Sequence, residues 1–445
     1  MVEPTDELVL RDAQLRDHPD PVHILVRGGR FARIGPEADT AAARSLDLAG
    51  RLVIPPLVDA HMHLDSALTL DPRHPNRSGT LWEGIDVWAA RKATLTGREV
   101  HANAREVLRW MVAHGTLHVR CHVDVSTPGL DALRALLDLR EEVRGVCDVQ
   151  LVAFPQDGLY GDGLAQGADR VARVREAMAL GCDVVGGIPH YERTPELGQA
   201  HVHTLFEVAE DFDADIDMHC DETDDPDSRY AELVARETVA RGRQGRVVVS
   251  HCTAMAGYEP AVLARTAALL ADAGVGVVAN PFVNVVLQGR GDAPPVRRGM
   301  APIGPLLDAG VTVGLGQDSV MDPWLPLGTG DLLAVAQLGA LLGHRTGHDQ
   351  LREMVSLVTD SGARLLRLGD RYGIREGAPA DFVVLDTADP IEALRLLPAR
   401  LHVFRGGREV ARSQPSRSEL TGDFAAGAVD FGRQPAAARK AATEA

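Results

Sequence analysis

Two kinds of apolar pattern alternate along this chain. Short strand-like runs recur from about residue 52 to residue 318: LVIPPLVDAHM, GTLHVRCHVDV, DVQLVAFP, CDVVGGIP, DADIDMHC, GRVVVSHC, VGVVANPF and VTVGLGQD. The segments between them, such as DALRALLDLREEV and AELVARETVARG, carry apolar residues at helical spacing instead. Eight strands alternating with helices predict a parallel sheet, and the count of eight predicts closure into a (β/α)8, TIM-like barrel. An open doubly wound sheet is the structural rival. It would want a glycine-rich phosphate loop after its first strand, and none is there.

Two shorter β-rich pieces bracket this region. The first, from about Leu8 to Val53, contains VHILVRGGRFARIGP; the second, from about Tyr372 to Val410, contains YGIREGAPADFVVLDT and LHVFRGGREVA. Both repeat a strand, Gly-Gly-Arg, strand pattern, a hairpin signal. They are expected to pack together as a small β-sandwich satellite domain. The predicted organisation is residues 1–53 and 371–412 for the satellite, 54–370 for the barrel, and 413–445 for a polar tail rich in Ala, Arg, Gln and Glu.

Composition narrows the partners. Apolar residues make up 45% of 445 and aromatics only 4%, so the core is mostly Leu, Val and Ala. The net charge of −17 argues against non-specific nucleic-acid binding and favours a small molecule. Five cysteines, scattered and odd in number, have neither metal-finger spacing nor the look of a disulfide framework. The start, MVEPTDELVL, lacks a secretory pattern, and no run approaches the roughly 18 apolar residues of a membrane span. A soluble cytoplasmic protein is expected. Of 46 basic residues only Lys92 and Lys440 are lysine, a bias that codon usage explains.

The chemistry sits where the strands end. His61 and His63 end the first strand, His219 and Glu222 the fifth, His251 the sixth and Asp318 the eighth, positions that converge on the C-terminal mouth of a barrel. Two residues apart on a strand, His61 and His63 face the same side. With His219 and Asp318 they make three imidazoles and a carboxylate, a set suited to one Zn²⁺ or Fe²⁺ with an open position for water. Such an ion can lower the pKa of its water to about 7. Glu222, beside His219, is placed to shuttle a proton; its other reading is a cap for the helix that comes after the acidic DETDDPD turn. His251 polarises the water or a substrate oxygen, or is a fourth nitrogen ligand. His118, His122 and His190 also lie near strand ends, with weaker claims.

These segments resemble a known pattern. PPLVDAHMHLD, HCDETDD, SHCTAM and GQDSVMDPW resemble the metal-binding segments of the amidohydrolase superfamily, specifically its cytosine deaminase branch. The likeness extends through SGTLWEGIDVWAARK, LVAFPQDG, VVGGIPHYE, NPFVNVVLQGRGD and DPWLPLGTGDLL, from about Val53 to Leu368. It implies that His61, His63, His219 and Asp318 bind a single metal, that Glu222 is the proton shuttle and that His251 orients the attacking water. It further implies that Gln156 reads the ring and that Leu81 and Trp324 line the pocket. A primary amide agrees with Gln156's role, because it sets a donor beside an acceptor. The implied reaction is hydrolytic deamination of cytosine or a 5-substituted cytosine by a metal-activated water.

Two details refine the expectation. Two-metal members of the superfamily use a carboxylated lysine at the end of the fourth strand, which here reads CDVVGGIPH, so a single-metal deaminase is favoured over a cyclic amide hydrolase. Cytosine deaminases of this kind usually carry a second acid after the metal-binding aspartate, whereas here Ser319 follows Asp318. A shorter, neutral residue there predicts tolerance of a 5-methyl or 5-fluoro substituent. Deaminases of isoguanine, triazine, creatinine or pterin type share the site and remain the alternative. A homo-oligomer is possible, since relatives often form one.

Overall fold

The computed structural model describes residues 7–36, 44–161, 163–164, 167–422 and 426–432. It divides into two compact units, one formed by the chain up to Pro55 together with the chain from Gly373 onward, the other by Pro56–Tyr372.

The second unit is a (β/α)8 barrel. Its parallel strands are β1 (Leu57–Met62), β2 (Thr116–Asp124), β3 (Asp148–Phe154), β4 (Val184–Gly187), β5 (Asp215–Cys220), β6 (Val247–His251), β7 (Gly276–Ala279) and β8 (Val313–Leu315). Each pairs with its sequence neighbour in unbroken order. The ring closes beyond β8, where the His63 amide donates to the Asp318 carbonyl and the Asp318 amide to the His61 carbonyl, both at 2.8 Å. Closure brings backbones very close: a Cβ on Gly316 would lie 2.6 Å from the His61 carbonyl oxygen. Only glycine lets the two ends of the sheet meet there.

The expected first run, LVIPPLVDAHM, is two strands rather than one. Leu52–Ile54 pairs with Phe382–Leu385 in the first unit, and β1 begins after Pro55-Pro56. Two successive prolines remove two ladder donors, so the chain changes sheet at that point.

In the first unit the two β-rich pieces form one hydrogen-bonded sheet of eight strands, not two separate sheets. The strand Glu7–Leu15 keeps Val22–Arg27 as its antiparallel partner across an irregularity between Leu10 and Ala13, while its other edge changes from Arg44–Asp47 to Leu52–Ile54. Phe31 and Phe382, far apart along the strand order, have ring centroids 6.0 Å apart, so the sheet folds over on itself around a shared apolar core. Both Gly-Gly pairs occupy hairpin turns, with φ of 56° and 72° at Gly28 and Gly29 and of 55° and 70° at Gly406 and Gly407. Positive φ at both central positions is what a two-residue turn requires. Within the expected tail, Ser418–Leu420 and Gly427–Val429 pair antiparallel; residues 433–445 lie outside the described residues.

The helix Leu81–Lys92 covers one side of the barrel mouth. It opens at Thr80, whose hydroxyl accepts from the Glu83 amide. Its buried face, Leu81, Ile85 and Trp88, packs with Val283, Leu287, Trp324 and Leu325. The spacing of four and three residues puts those three side chains on one stripe.

Candidate active site

The barrel mouth gathers side chains from four strand ends. His61 lies in β1 and His63 follows it, His219 lies in β5, His251 closes β6, and Asp318 stands beyond β8. His251 and Asp318 have φ of 71° and 68°. This left-handed conformation costs a non-glycine residue about 1–3 kcal/mol and is concentrated at functional sites.

The distances are those of a shared centre. The Nε2 atoms of His61 and His63 lie 3.6 and 3.5 Å from Asp318 Oδ1, and His63 Nε2 is 3.1 Å from His219 Nε2. His61 Nε2 and Asp318 Oδ2 are buried without a hydrogen-bond partner among the described residues. Burial pulls the His63 pKa down to about 3 and those of His61 and His219 well below the usual imidazole range. All three rings are therefore neutral, with lone pairs to give. Burial pushes Asp318 the other way, well above the usual carboxylate range, with His251 opposing the shift. Neutral nitrogens and a buried, under-compensated carboxylate form a donor set short of one cation, and a divalent metal fits it.

A chain of polar groups behind the site fixes His61. Ser250 Oγ donates to Asp217 Oδ1 at 2.9 Å, and Asp217 Oδ2 accepts from Arg120 at 2.9 Å. The one Ser250 proton is thus committed, so its oxygen accepts from His61 Nδ1 at 2.9 Å, which leaves Nε2 unprotonated and facing the centre. Ser250→Ala is expected to weaken metal affinity about 10–100-fold, read by competition with a chromogenic chelator. An unchanged affinity would show that packing alone orients His61. On the other flank the Phe154 ring stacks on His219, centroids 4.1 Å apart.

Glu222 and His251 form the second half of the site. His251 Nδ1 lies 3.1 Å from Glu222 Oε1 and 3.8 Å from Asp318 Oδ2. Burial lowers the His251 pKa, but these two carboxylates outweigh it and the net shift is upward. The amides of Asn280 and Asn284 also reach this ring, with Asn284 Nδ2 2.9 Å from Nδ1. Capping of the next helix falls to the neighbouring acid: Asp221 accepts from the amides of Tyr230 and Ala231, both at 2.9 Å. Glu222 is left to face His251.

Gln156, Leu81, Ser319 and Trp324 line the same pocket as His63, His219, Glu222, His251 and Asp318, with Val283 and Leu287 completing the wall. Trp324 is held tightly. A Cβ on Gly84 would come within 2.4 Å of its indole Cδ1. Ser319 hydrogen-bonds to Asp322, which also accepts from Ser66 Oγ at 3.0 Å and the Trp324 amide at 2.9 Å.

The weaker histidine candidates separate. His122 packs behind His61, ring centroids 4.1 Å apart, and does not line the pocket. His190 borders a neighbouring surface groove. His118 is a correction: it sits near the start of β2 rather than its end, with Nδ1 3.2 Å from Asp148 Oδ2 at the start of β3. The end of β4 carries Ile188 and Pro189 before His190, Lys92 is paired with Asp124 and Asp157, and Lys440 lies outside the described residues.

Sequence reasoning missed Asp217, Ser250, Phe154, Asn280 and Asn284. Ser250 directly precedes His251, and Asn280 and Asn284 stand four apart around the start of the helix Pro281–Leu287, one helical turn. Those signals were present but ambiguous without the fold.

The model of the amidohydrolase family matches residues 44–411. The chain belongs to the amidohydrolase family. It is a metal-dependent hydrolase acting on C–N bonds. It is similar to the crystal structure of 5-methylcytosine deaminase from Klebsiella pneumoniae liganded with 5-fluorocytosine, at 38% identity and a TM-score of 0.89, covering 93% of this chain and 99% of that one. It is also 30% identical to N-isopropylammelide isopropyl amidohydrolase of Pseudomonas sp. (strain ADP), over 92% of this chain and 98% of that protein. Pterin deaminase of Rhizobium rhizogenes is 30% identical, over 89% of each. Among the described residues, no helix is long and apolar enough to cross a membrane.

Proposed function

We propose that the protein hydrolytically deaminates cytosine or a 5-substituted cytosine such as 5-methylcytosine, releasing ammonia and the corresponding uracil. The observation that carries this reading is the 38% identity to a 5-methylcytosine deaminase over 93% of the chain. The pocket, where Gln156 joins Glu222, His251 and Asp318, supports it.

His61, His63, His219 and Asp318 would hold one divalent ion, Zn²⁺ or Fe²⁺. Such an ion would supply a water whose pKa is lowered to about 7. His251 and Asp318 orient the water against the ring carbon that bears the amino group. Glu222 takes one proton from the water and passes it to the adjacent ring nitrogen; the proton left on the attacking oxygen is then moved to the amino group, which departs as ammonia as the C–O double bond forms. Gln156 pairs its amide with the C2 carbonyl and N1–H edge of the base. Leu81 and Trp324 enclose the ring and exclude bulk water. The chain acts on a free small molecule in the cytoplasm, without nucleic acid.

A second reading has specific support. The relatives include an N-isopropylammelide hydrolase and a pterin deaminase, so the same machinery can serve another amino-heterocycle, with pocket shape alone setting the choice. Ammonia release from purified, metal-loaded protein, measured across cytosine, 5-methylcytosine, an aminotriazine and a pterin, separates the two. Highest kcat/KM on a cytosine supports the first reading, and highest kcat/KM on a triazine or pterin replaces it with the second.

Ser319 sets tolerance at the 5-position. Ser319→Asp and Ser319→Asn are both expected to lower kcat/KM for 5-methylcytosine relative to cytosine, by about 10–200-fold, the range a methyl-sized change in a pocket commands. The asparagine variant adds bulk without charge, so it isolates the steric part. An unchanged ratio in both variants would exclude Ser319 from specificity.

A further inference from the structure

A chain with 46 basic residues and two lysines keeps one lysine at the end of a pocket-forming helix. Arginine is the default cation here, which makes Lys92 stand out. Its side chain is only 12% exposed, and its ammonium meets three carboxylate oxygens: Asp124 Oδ2 at 2.8 Å, Asp157 Oδ1 at 2.9 Å and Asp157 Oδ2 at 2.8 Å. Three rotatable donors on a compact head match three converging acceptors; a planar guanidinium is larger and fixed in its fork.

Those acceptors belong to two different parts of the mouth. Asp124 closes β2, accepts from Trp88 Nε1 at 2.9 Å, and donates its own amide to Asp65 Oδ2 at 2.7 Å. Asp157 directly follows Gln156 in the turn after β3. Its amide donates to Ser126 Oγ at 3.0 Å and its carbonyl accepts from Arg170 at 2.6 Å. The side-chain amide of Gln156 itself has no hydrogen-bond partner among the described residues; only its backbone amide is tied, to the Phe154 carbonyl at 3.1 Å. The aim of that side chain therefore depends on how rigidly the turn around it is held. The helix that ends in Lys92 begins with Leu81, a wall of the pocket.

We propose that Lys92 is a positioning residue: by joining Asp124 to Asp157 it locks the Gln156 turn to the helix bearing Leu81 and so aims the amide that reads the substrate ring. The inference rests on the proposed role of Gln156. Lys92 touches neither the metal ligands nor the reacting atoms, so it governs affinity for the ring rather than the chemical step.

The test is a double-mutant cycle of Lys92→Met and Gln156→Ala in metal-loaded protein, reading KM and kcat for whichever amino-heterocycle is turned over best. Lys92→Met is expected to raise KM roughly 10-fold, the size of losing one well-placed hydrogen bond, with kcat and metal content nearly unchanged. In the Gln156→Ala background it should raise KM by less than about twofold. A purely structural lysine would lower the melting temperature yet raise KM equally in both backgrounds, or leave it alone, and either result overturns the proposal. If Lys92→Met does not fold, Asp157→Asn, which keeps the shape and weakens the ion pair, is read the same way. Gln156→Ala alone separates the layers. If it leaves KM unchanged, the ring-reading role has failed and Lys92 falls with it; if it raises KM while Lys92→Met does not, only the Lys92 proposal has failed.

Discussion

Glu222→Gln is expected to lower kcat about 10²–10⁴-fold while the metal content stays at the wild-type level. The amide matches the carboxylate in size and can still contact His251, whose Nδ1 lies 3.1 Å from Glu222 Oε1. It cannot take up a proton and hand it on. The fold has little stake in this side chain, because the helix Tyr230–Ala240 is held at its start by Asp221. The melting temperature should therefore barely move. Steady-state ammonia release beside elemental analysis reads both quantities. A kcat within about threefold of wild type would remove Glu222 from the proton path.

His219→Ala should have an effect of a different kind, loss of the metal itself. His219 places its Nε2 3.1 Å from His63 Nε2; without it the proposed centre would keep His61, His63 and Asp318 but lose a neutral nitrogen donor from one whole side of the mouth, which weakens its hold on a divalent ion. Metal content is expected to fall far below one per chain, with activity falling by more than the roughly 10–100-fold that loss of a supporting partner costs. The variant also takes away the ring on which Phe154 stacks, so some stability is lost with it. Ser250→Ala is the useful control, because it disturbs a ligand from behind without removing one. Elemental analysis of His219→Ala purified without added metal reads the outcome. Full metal content would show that His219 is not a ligand.

The histidines at strand ends were legible because a strand fixes which side chains share a face, and a barrel fixes which end of each strand holds chemistry. His61, His63, His219, His251 and Asp318 are positioned by those two rules. His118 shows where the rules stop. Proximity to a strand end is visible in sequence, but which of the two ends holds the residue depends on where the strand starts, and boundaries are weakly encoded. Pro55-Pro56 was visible too, yet a run apolar on both sides of it reads as one strand until pairing shows the change of sheet. Asp217 and Ser250 escaped for another reason. Buried inside strands, Asp217 in DIDMHC and Ser250 in VVVSH, they resemble ordinary core polar groups, and only the three-dimensional chain from Arg120 to His61 gives them a task. The glycines at 84 and 316 likewise acquire meaning only from what stands opposite them, Trp324 in one case and His61 in the other.

Titrating metal back into stripped wild-type protein tests the central claim most directly. Protein treated with a strong chelator should lose ammonia release altogether, and adding Zn²⁺ or Fe²⁺ should restore it along a line that breaks at one equivalent per chain. Full activity in protein shown by elemental analysis to be metal-free, or a break at two equivalents, would contradict a single ion held by His61, His63, His219 and Asp318.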